Sequence, residues 1–296
     1  MTKKQTLTGL LVGALTIALI GGLAISQTPG TPETKSVGTA SPRPTPEAES
    51  TPTPEAEPVA VDYFVVPHPD DEFEVWSQVE NSDAYKVFIL MTRGEGTGLC
   101  AQRSDPSVTC AQARTDSWVN FFVQMSQTDE TIPGDFEYTY REKEDVRLWQ
   151  DKQGRGVLVA FDYGDGNLTP EEVEIAVRQT MGNAEYGIPA ADTTRIFGAY
   201  ANATNYDCYV YPHPDHIAIH TALTTEHFSA DTQGYAACAS SPGVSFTAQV
   251  SDESLEAAWG SGGAFHTHYG WLGGYQVDPH GQSQIFHGYQ AFYTRD

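Results

Sequence analysis

The sequence predicts an α/β domain built on a mostly parallel sheet flanked by helices, and three observations predict it. Short runs dominated by β-branched and aromatic residues, such as VDYFVV at 61–66 and KVFILM at 86–91, have the look of strands buried on both faces. These runs alternate with helical segments, which selects the α/β class. The loops richest in His, Asp and Gly each follow a predicted strand, the place where open α/β sheets bind ligands.

Three regions succeed one another along the chain. Residues 1–26 carry Lys3 and Lys4 and then an uncharged apolar run over 7–25, the signature of a signal peptide or a signal anchor. Small residues at Ala24-Ile25-Ser26 favour cleavage, and no cysteine follows the run to take a lipid. Residues 27–59 are rich in Thr, Pro, Glu and Ser and nearly devoid of large apolar side chains. Such a stretch cannot bury a core, and its prolines make it an extended, semi-rigid linker. Residues 60–296 form one domain, long enough for a sizeable core.

Within the domain, the strand at 61–66 leads into PHPDDE, after which 73–79 begins a helix. A second strand over 86–91 ends in TRGEGTG, and 111–125 has helical character. A third strand covers 157–161 and is followed by DYGDGN. Thr169 is then a helix N-cap, with Pro170 at the first helical position, acids in the first turn and Gly182 at the end. A fourth strand spans 195–200, and HPDHIAIHTALTTEHF is a helix entered through Pro214. From Ala257 onward the chain is rich in Gly, His and aromatics and reads as irregular or β-rich cover over the sheet.

The formal charge is −23. A negative field of that size repels nucleic acid and anionic polymers, and it suits a neutral or cationic small-molecule or glycan substrate; solubility is the simpler reason for its magnitude. A membrane enters only through an uncleaved N-terminal anchor, and the oligomeric state is not encoded in any pattern. The four cysteines, Cys100, Cys110, Cys208 and Cys238, suggest disulfides in an exported chain. Three pairings exist; the one closest in sequence is Cys100–Cys110 with Cys208–Cys238. No C-x-x-C spacing points to metal thiolates.

The chemistry lies in two copies of Pro-His-Pro-Asp, VVPHPDDEFEVW at 65–76 and YPHPDHIAIH at 211–220. Three consecutive acids repel one another unless a cation sits among them. His68, Asp71 and His216 would supply two imidazoles and a carboxylate, a common catalytic zinc set with a position left for water; Fe2+ fits the same donors. Asp70, beside a ligand, is placed to act as general base. His213 lies one helical turn before His216 and could steady an oxyanion and protonate a leaving amine, with Asp215 orienting one of the histidines. A single His-Pro-Asp is usually a loop or helix cap; two copies, each after a predicted strand, make a site. His216 with His220, spaced i,i+4, is a rival ligand pair. It lacks the Glu of the metalloprotease pattern, so His220 reads as supporting or packing.

PHPDDE with HPDH downstream, and TRGEGTG and DGNLTPEEV between them, resembles the zinc-dependent GlcNAc-phosphatidylinositol de-N-acetylase family, also called PIG-L or LmbE-like deacetylases. The resemblance covers about residues 61–228. It implies a Rossmann-like fold and removal of an acetyl group from N-acetylglucosamine units or related amides. It implies His68, Asp71 and His216 as metal ligands, Asp70 as base and His213 as the residue that stabilises the tetrahedral intermediate. It further implies Arg114 as a sugar-hydroxyl contact, although Ser117 stands where the family carries an acid. Its acid near the third strand corresponds to Asp165 in preference to Asp162. Pro67 replaces the usual small residue, and the insert around 100–110 is atypical and expected to reshape the cleft entrance.

Trp259, Tyr269, Trp271 and Tyr275 could stack on sugar rings, but aromatics in such numbers more often build core. His266, His268, His280 and His287 take no role. The expectation is therefore an exported zinc N-deacetylase, a hydrolase of linear amide bonds. Its rivals are a metal-dependent amidase on a non-sugar amide and a catalytically degenerate surface carbohydrate-binding protein.

Overall fold

The structure, a computed structural model, describes residues 59–201, 211–237, 246–272 and 289–295. The predicted leader, the linker up to residue 58, Cys208, Cys238, Tyr275, His280 and His287 lie outside the described residues. No helix among the described residues is long and apolar enough to cross a membrane.

The described strands are β1 (Ala60–Val66), β2 (Tyr85–Thr92), β3 (Phe136–Arg141), β4 (Val146–Asp151), β5 (Gly156–Tyr163), β6 (Thr193–Gly198), β7 (Thr232–Ala237), β8 (Phe246–Gln249) and β9 (Tyr289–Arg295). They join one mixed sheet in the order β3-β4-β5-β2-β1-β6-β7-β9-β8. The five central strands, β5 to β7 in that order, run parallel. Antiparallel strands extend both margins, β4 and β3 beyond β5 and β9 and β8 beyond β7. The sheet is thus mostly parallel, as expected, with antiparallel strands only at its margins.

Alternation along the central strands feeds two cores, as the period of two in a strand requires. Phe64, Val66, Phe88, Leu90, Leu158 and Phe197 face one side. There they meet the short helix α1 (Trp76–Glu80), α2 (Cys110–Met125), α5 (Asp252–Trp259) and α6 (Ala264–Tyr269). Tyr63, Val65, Val87, Ile89, Val157 and Ile196 face the other side, against α3 (Pro170–Thr180) and α4 (Pro214–Thr225). With both faces covered, the strands must be apolar throughout, which is why β1 and β2 were legible as continuous runs.

Helix ends follow the capping signals. Thr169 and Glu172 form a reciprocal capping box at α3, with Pro170 at the first position. Thr109 caps α2 by accepting from the Gln112 amide at 3.2 Å. Cys100 and Cys110 are joined by a disulfide, tying the 100–110 loop to the start of α2. The segment from Ala257 is a mixture: α6 and the end of α5 are helical, and β9 enters the sheet between β7 and β8. Trp259, Phe265 and Tyr269 are buried there and belong to the core. Trp259 and Tyr269 are thus packing, the role that aromatics in such numbers were expected to take.

Chain order puts β2 and β5 on one side of β1, and β6 and β7 on the other. The order therefore reverses between β1 and β6. Beyond the carboxyl ends of those two strands is the crevice where open α/β sheets place their sites. PHPDDE leaves β1 there, and HPDH follows β6 and opens α4. At the opposite end of the sheet a cavity of about 640 Å³ opens among Asp62, Tyr85 and Arg195. Its buried charge is already paired: the Arg195 guanidinium donates to the Asp62 carboxylate, Nε to Oδ1 at 2.8 Å.

Candidate metal centre

The loop after β1 is tightly wound. The Thr92 amide and hydroxyl both donate to the Pro67 carbonyl, at 2.9 and 3.0 Å, so the end of β2 fixes the exit from β1. The chain then turns back on itself: the Asp71 amide donates to the His68 carbonyl at 3.2 Å, and the His68 amide donates to Asp71 Oδ2 at 3.1 Å. The turn puts Asp70 at φ +107°, a conformation L residues rarely adopt.

His68, Asp71 and His216 converge, with their candidate ligand atoms all within 4.8 Å of one another. Asp71 Oδ2 lies 2.8 Å from His68 Nδ1 and 3.2 Å from His216 Nε2. The outer ring nitrogens have partners of their own. His216 Nδ1 is hydrogen-bonded to the Tyr200 carbonyl, and a carbonyl only accepts, so this nitrogen carries the proton. His68 Nε2 lies 3.0 Å from Asp215 Oδ2 and 3.3 Å from Asp165 Oδ1 and is likewise the donor. With those tautomers the inner nitrogens, His68 Nδ1 and His216 Nε2, present lone pairs to a carboxylate oxygen. His216 Nε2 is fully buried without a hydrogen-bond partner among the described residues. Three acceptors pointing at one another in a buried space call for positive charge among them, which a proton on an imidazole or a bound metal ion would supply. Two imidazoles and a carboxylate, each imidazole held from behind by an acceptor, could hold a metal ion.

A second cluster, His68, Asp165, His213 and Asp215, also lies close together. It needs no ion. Asp215 accepts from the Gly166 amide at 2.8 Å and the Leu168 amide at 3.1 Å as well as from His68. Asp165 accepts from the Gly96 amide at 2.6 Å. These carboxylates are satisfied, and their role is to hold His68.

Electrostatics follow from burial and these partners. Burial works to lower the His68 pKa, but hydrogen bonds to Asp165, Asp215 and Asp71 raise it well above its ordinary value: some positive charge, proton or metal, belongs there. Burial alone would raise Asp71, yet the neighbouring His216 and His68 hold it far below the carboxylate range. Burial pushes Asp70 up to about 7, against the opposing pull of Arg114 and with Asp71 adding to the rise. Burial lowers His213, and the neighbouring His68 and His216 lower it further.

Arg114, from α2, donates through Nη2 to Asp70 Oδ1 at 2.8 Å and to the Pro69 carbonyl at 2.7 Å. It is 5% exposed, so it is neither a surface ion pair nor open to a ligand in this arrangement. Gly94 makes room for it: at φ +63°, a Cβ there would sit 2.4 Å from Arg114 Nε. His213 occupies the N-cap of α4, its ring 4.6 Å from that of His68, and its Nδ1 faces the Asp215 amide at 3.4 Å. Asp162 pairs with Arg93 at 3.3 Å, away from the cluster. His220 packs against Tyr235, 4.1 Å between ring centres. The structure thus brings together His68, Asp70, Asp71, Arg114, Asp165, His213, Asp215 and His216. It leaves Asp162 and His220 outside.

Two acids were missed. Glu72 and Glu74 are wholly buried beneath the loop. Glu74 Oε2 accepts from the Tyr200 amide at 2.6 Å and lies 3.7 Å from His216 Nδ1. Glu72 Oε2 accepts from the Asp70 amide and Oε1 from the Tyr269 hydroxyl, both at 3.0 Å. Their signal was acids alternating with Phe73 and Val75 in a run that is otherwise apolar. No family model, no curated protein and no solved structure matches the chain.

Proposed function

We propose that the chain is an exported, zinc-dependent N-deacetylase that hydrolyses the acetamide of an N-acetylglucosamine-containing sugar or glycoconjugate. The observation that carries this reading is the convergence of the His68 and His216 lone pairs on Asp71, with Asp70 beside them. The likeness of PHPDDE and HPDH to the PIG-L/LmbE deacetylases supports it, as does a parallel sheet centre of the kind a Rossmann-like fold needs. The apolar 7–25 run supports export, and the acidity of the chain supports a neutral or cationic substrate over nucleic acid.

When bound among His68, Asp71 and His216, zinc would polarise the amide carbonyl and acidify water; Fe2+ would serve the same donors. The protein's own residues do the rest. Asp70, near neutral in pKa and with Oδ1 held by Arg114, takes the proton of the attacking water on Oδ2. His213 has its Nδ1 turned to the Asp215 amide, leaving its Nε2–H to donate a hydrogen bond to the developing oxyanion, while the proton that Asp70 took from water passes to the leaving nitrogen as the C–N bond breaks. Asp215 and Asp165 fix the ring of His68. The products are acetate and a free amine.

A second reading, an amidase on a non-sugar amide, has one observation in its favour. Arg114, the expected sugar contact, is turned onto Asp70 and buried. Metal content and acetate release, measured on the same preparations with N-acetylglucosamine compounds and simple acetamides, test both. Asp70→Asn is expected to keep about one metal per chain and to lose activity by a factor on the order of 10²–10⁴. Acetate from simple acetamides alone would favour the second reading. Sugar affinity without turnover in the wild type would favour a degenerate binding protein, and failure to bind metal would sink both hydrolase readings.

A further inference from the structure

We propose that Tyr269, far along the chain in α6, is a positioning residue for Asp70, acting through the buried carboxylate of Glu72. The effect on rate rests on the hydrolase reading above; the effect on the Asp70 loop does not.

Asp70 sits at φ +107°. For a residue with a Cβ such a conformation is costly and persists only where the surroundings over-determine it. Two groups hold it here. Arg114 grips the carbonyl of Pro69 and the side chain of Asp70. Glu72 accepts the Asp70 amide itself, at 3.0 Å. Glu72 also takes a bond from its own backbone amide, but that amide travels with the loop, so the value of the carboxylate as a clamp depends on a partner that ties it to the rest of the fold. That partner is the Tyr269 hydroxyl, at 3.0 Å, 197 residues away in sequence. The Tyr269 ring is fully buried. It packs against Phe265 and Phe121, with ring centres 5.0 and 5.9 Å apart, so its hydroxyl cannot follow Glu72 if the loop shifts.

The chain from Tyr269 to Glu72 to the Asp70 amide thus ties the aim of the proposed base to the helical C-terminal segment. Arg114 sets where the carboxylate oxygen points; Glu72 and Tyr269 set the backbone from which it projects. Neither Glu72 nor Tyr269 belongs to the cluster of ligand atoms, so their loss should leave the metal in place and move the base.

The test is Tyr269→Phe, which keeps the packed ring and removes one hydroxyl. Metal content should equal that of the wild type, and amide exchange over residues 67–73 should quicken while the rest of the sheet keeps its protection. With a substrate the wild type turns over, kcat should fall on the order of tenfold, and KM should stay within about twofold. Glu72→Gln is the conservative control: its amide oxygen can still accept from Asp70, and its NH2 can donate to the Tyr269 oxygen, so most activity should return. Unchanged exchange at 67–73 overturns the proposal, as does faster exchange spread evenly over the domain or a metal content that falls with activity. If the wild type turns over no amide, the hydrolase reading fails, and the exchange experiment still decides whether Tyr269 holds the loop.

Discussion

At the scale of single residues, the centre depends on groups whose importance comes from what they exclude or fix. Gly94 is the plainest case. Its φ is +63°, and the place a Cβ would take is occupied by the Arg114 guanidinium. Gly94→Ala must strain the backbone and displace Arg114 from Asp70. The expected loss of stability is on the order of 2 kcal/mol, read from the urea midpoint. Activity should fall further than that loss explains, because Asp70 would lose the cation that fixes its Oδ1. An alanine variant with wild-type stability and turnover would show that Arg114 has another resting place. Residue identity alone could suggest His68, Asp71 and His216 as a set, because imidazole and carboxylate in that pattern have few other uses. It could not suggest Glu72 or Tyr269. A glutamate after two aspartates reads as loop, and nothing in the local sequence says that this one is fully buried under a hydroxyl from another helix.

At the scale of elements, β1, β2, β5 and β6 were legible because burial on both faces writes a continuous apolar run, and α3 because its cap is spelled out residue by residue. The margins were not. β3 exposes most of its residues, and β4 is a short Val-Arg-Leu-Trp-Gln-Asp run with neither a continuous apolar stretch nor a clean alternation, so neither stands out as a strand. Asp145, at φ +50°, sits in their connecting turn where a glycine would have marked it. What stabilises this margin is a single buried carboxylate. Asp151 accepts from the Gly134 and Asp135 amides, at 3.0 and 2.9 Å, and from the Arg155 guanidinium at 2.6 Å. Although burial works to raise its pKa, the Arg155 bond and these amides hold it well below the ordinary value. The sign follows: the folded form binds its proton less readily than the unfolded chain, so Asp151 stabilises above the ordinary carboxylate pKa and the contribution fades as the pH falls below about 4. Asp151→Asn should cost on the order of 3 kcal/mol at neutral pH and flatten the acid limb of the urea midpoint against pH. A variant whose acid limb keeps its slope would assign that slope to other carboxylates.

At the scale of the whole molecule, the two Pro-His-Pro-Asp segments meet because the sheet reverses its order between the strands they follow. The site therefore joins chain on both sides of the switch: His68 and Asp71 from the end of β1, and His216 from α4, in the connection between β6 and β7. A ligand held by all three binds the folded chain and not the unfolded one, so its binding energy is also folding energy. Zinc at a thousand times its dissociation constant would add about 4 kcal/mol, which for a domain of this size raises Tm by roughly 10 °C. The donor set predicts which variants lose that gain. His216→Ala removes the buried Nε2 that has no hydrogen-bond partner among the described residues, and should abolish most of the zinc-dependent shift. Asp151→Asn should lower Tm in chelator and in zinc alike, leaving the difference between them intact, because the Asp151 hub is separate from the donors. Calorimetry of the wild type and both variants, with chelator and with zinc, measures all six values. A zinc shift that survives His216→Ala would place the ion elsewhere, and no shift in the wild type would mean that the positive charge demanded by His68, Asp71 and His216 is a proton.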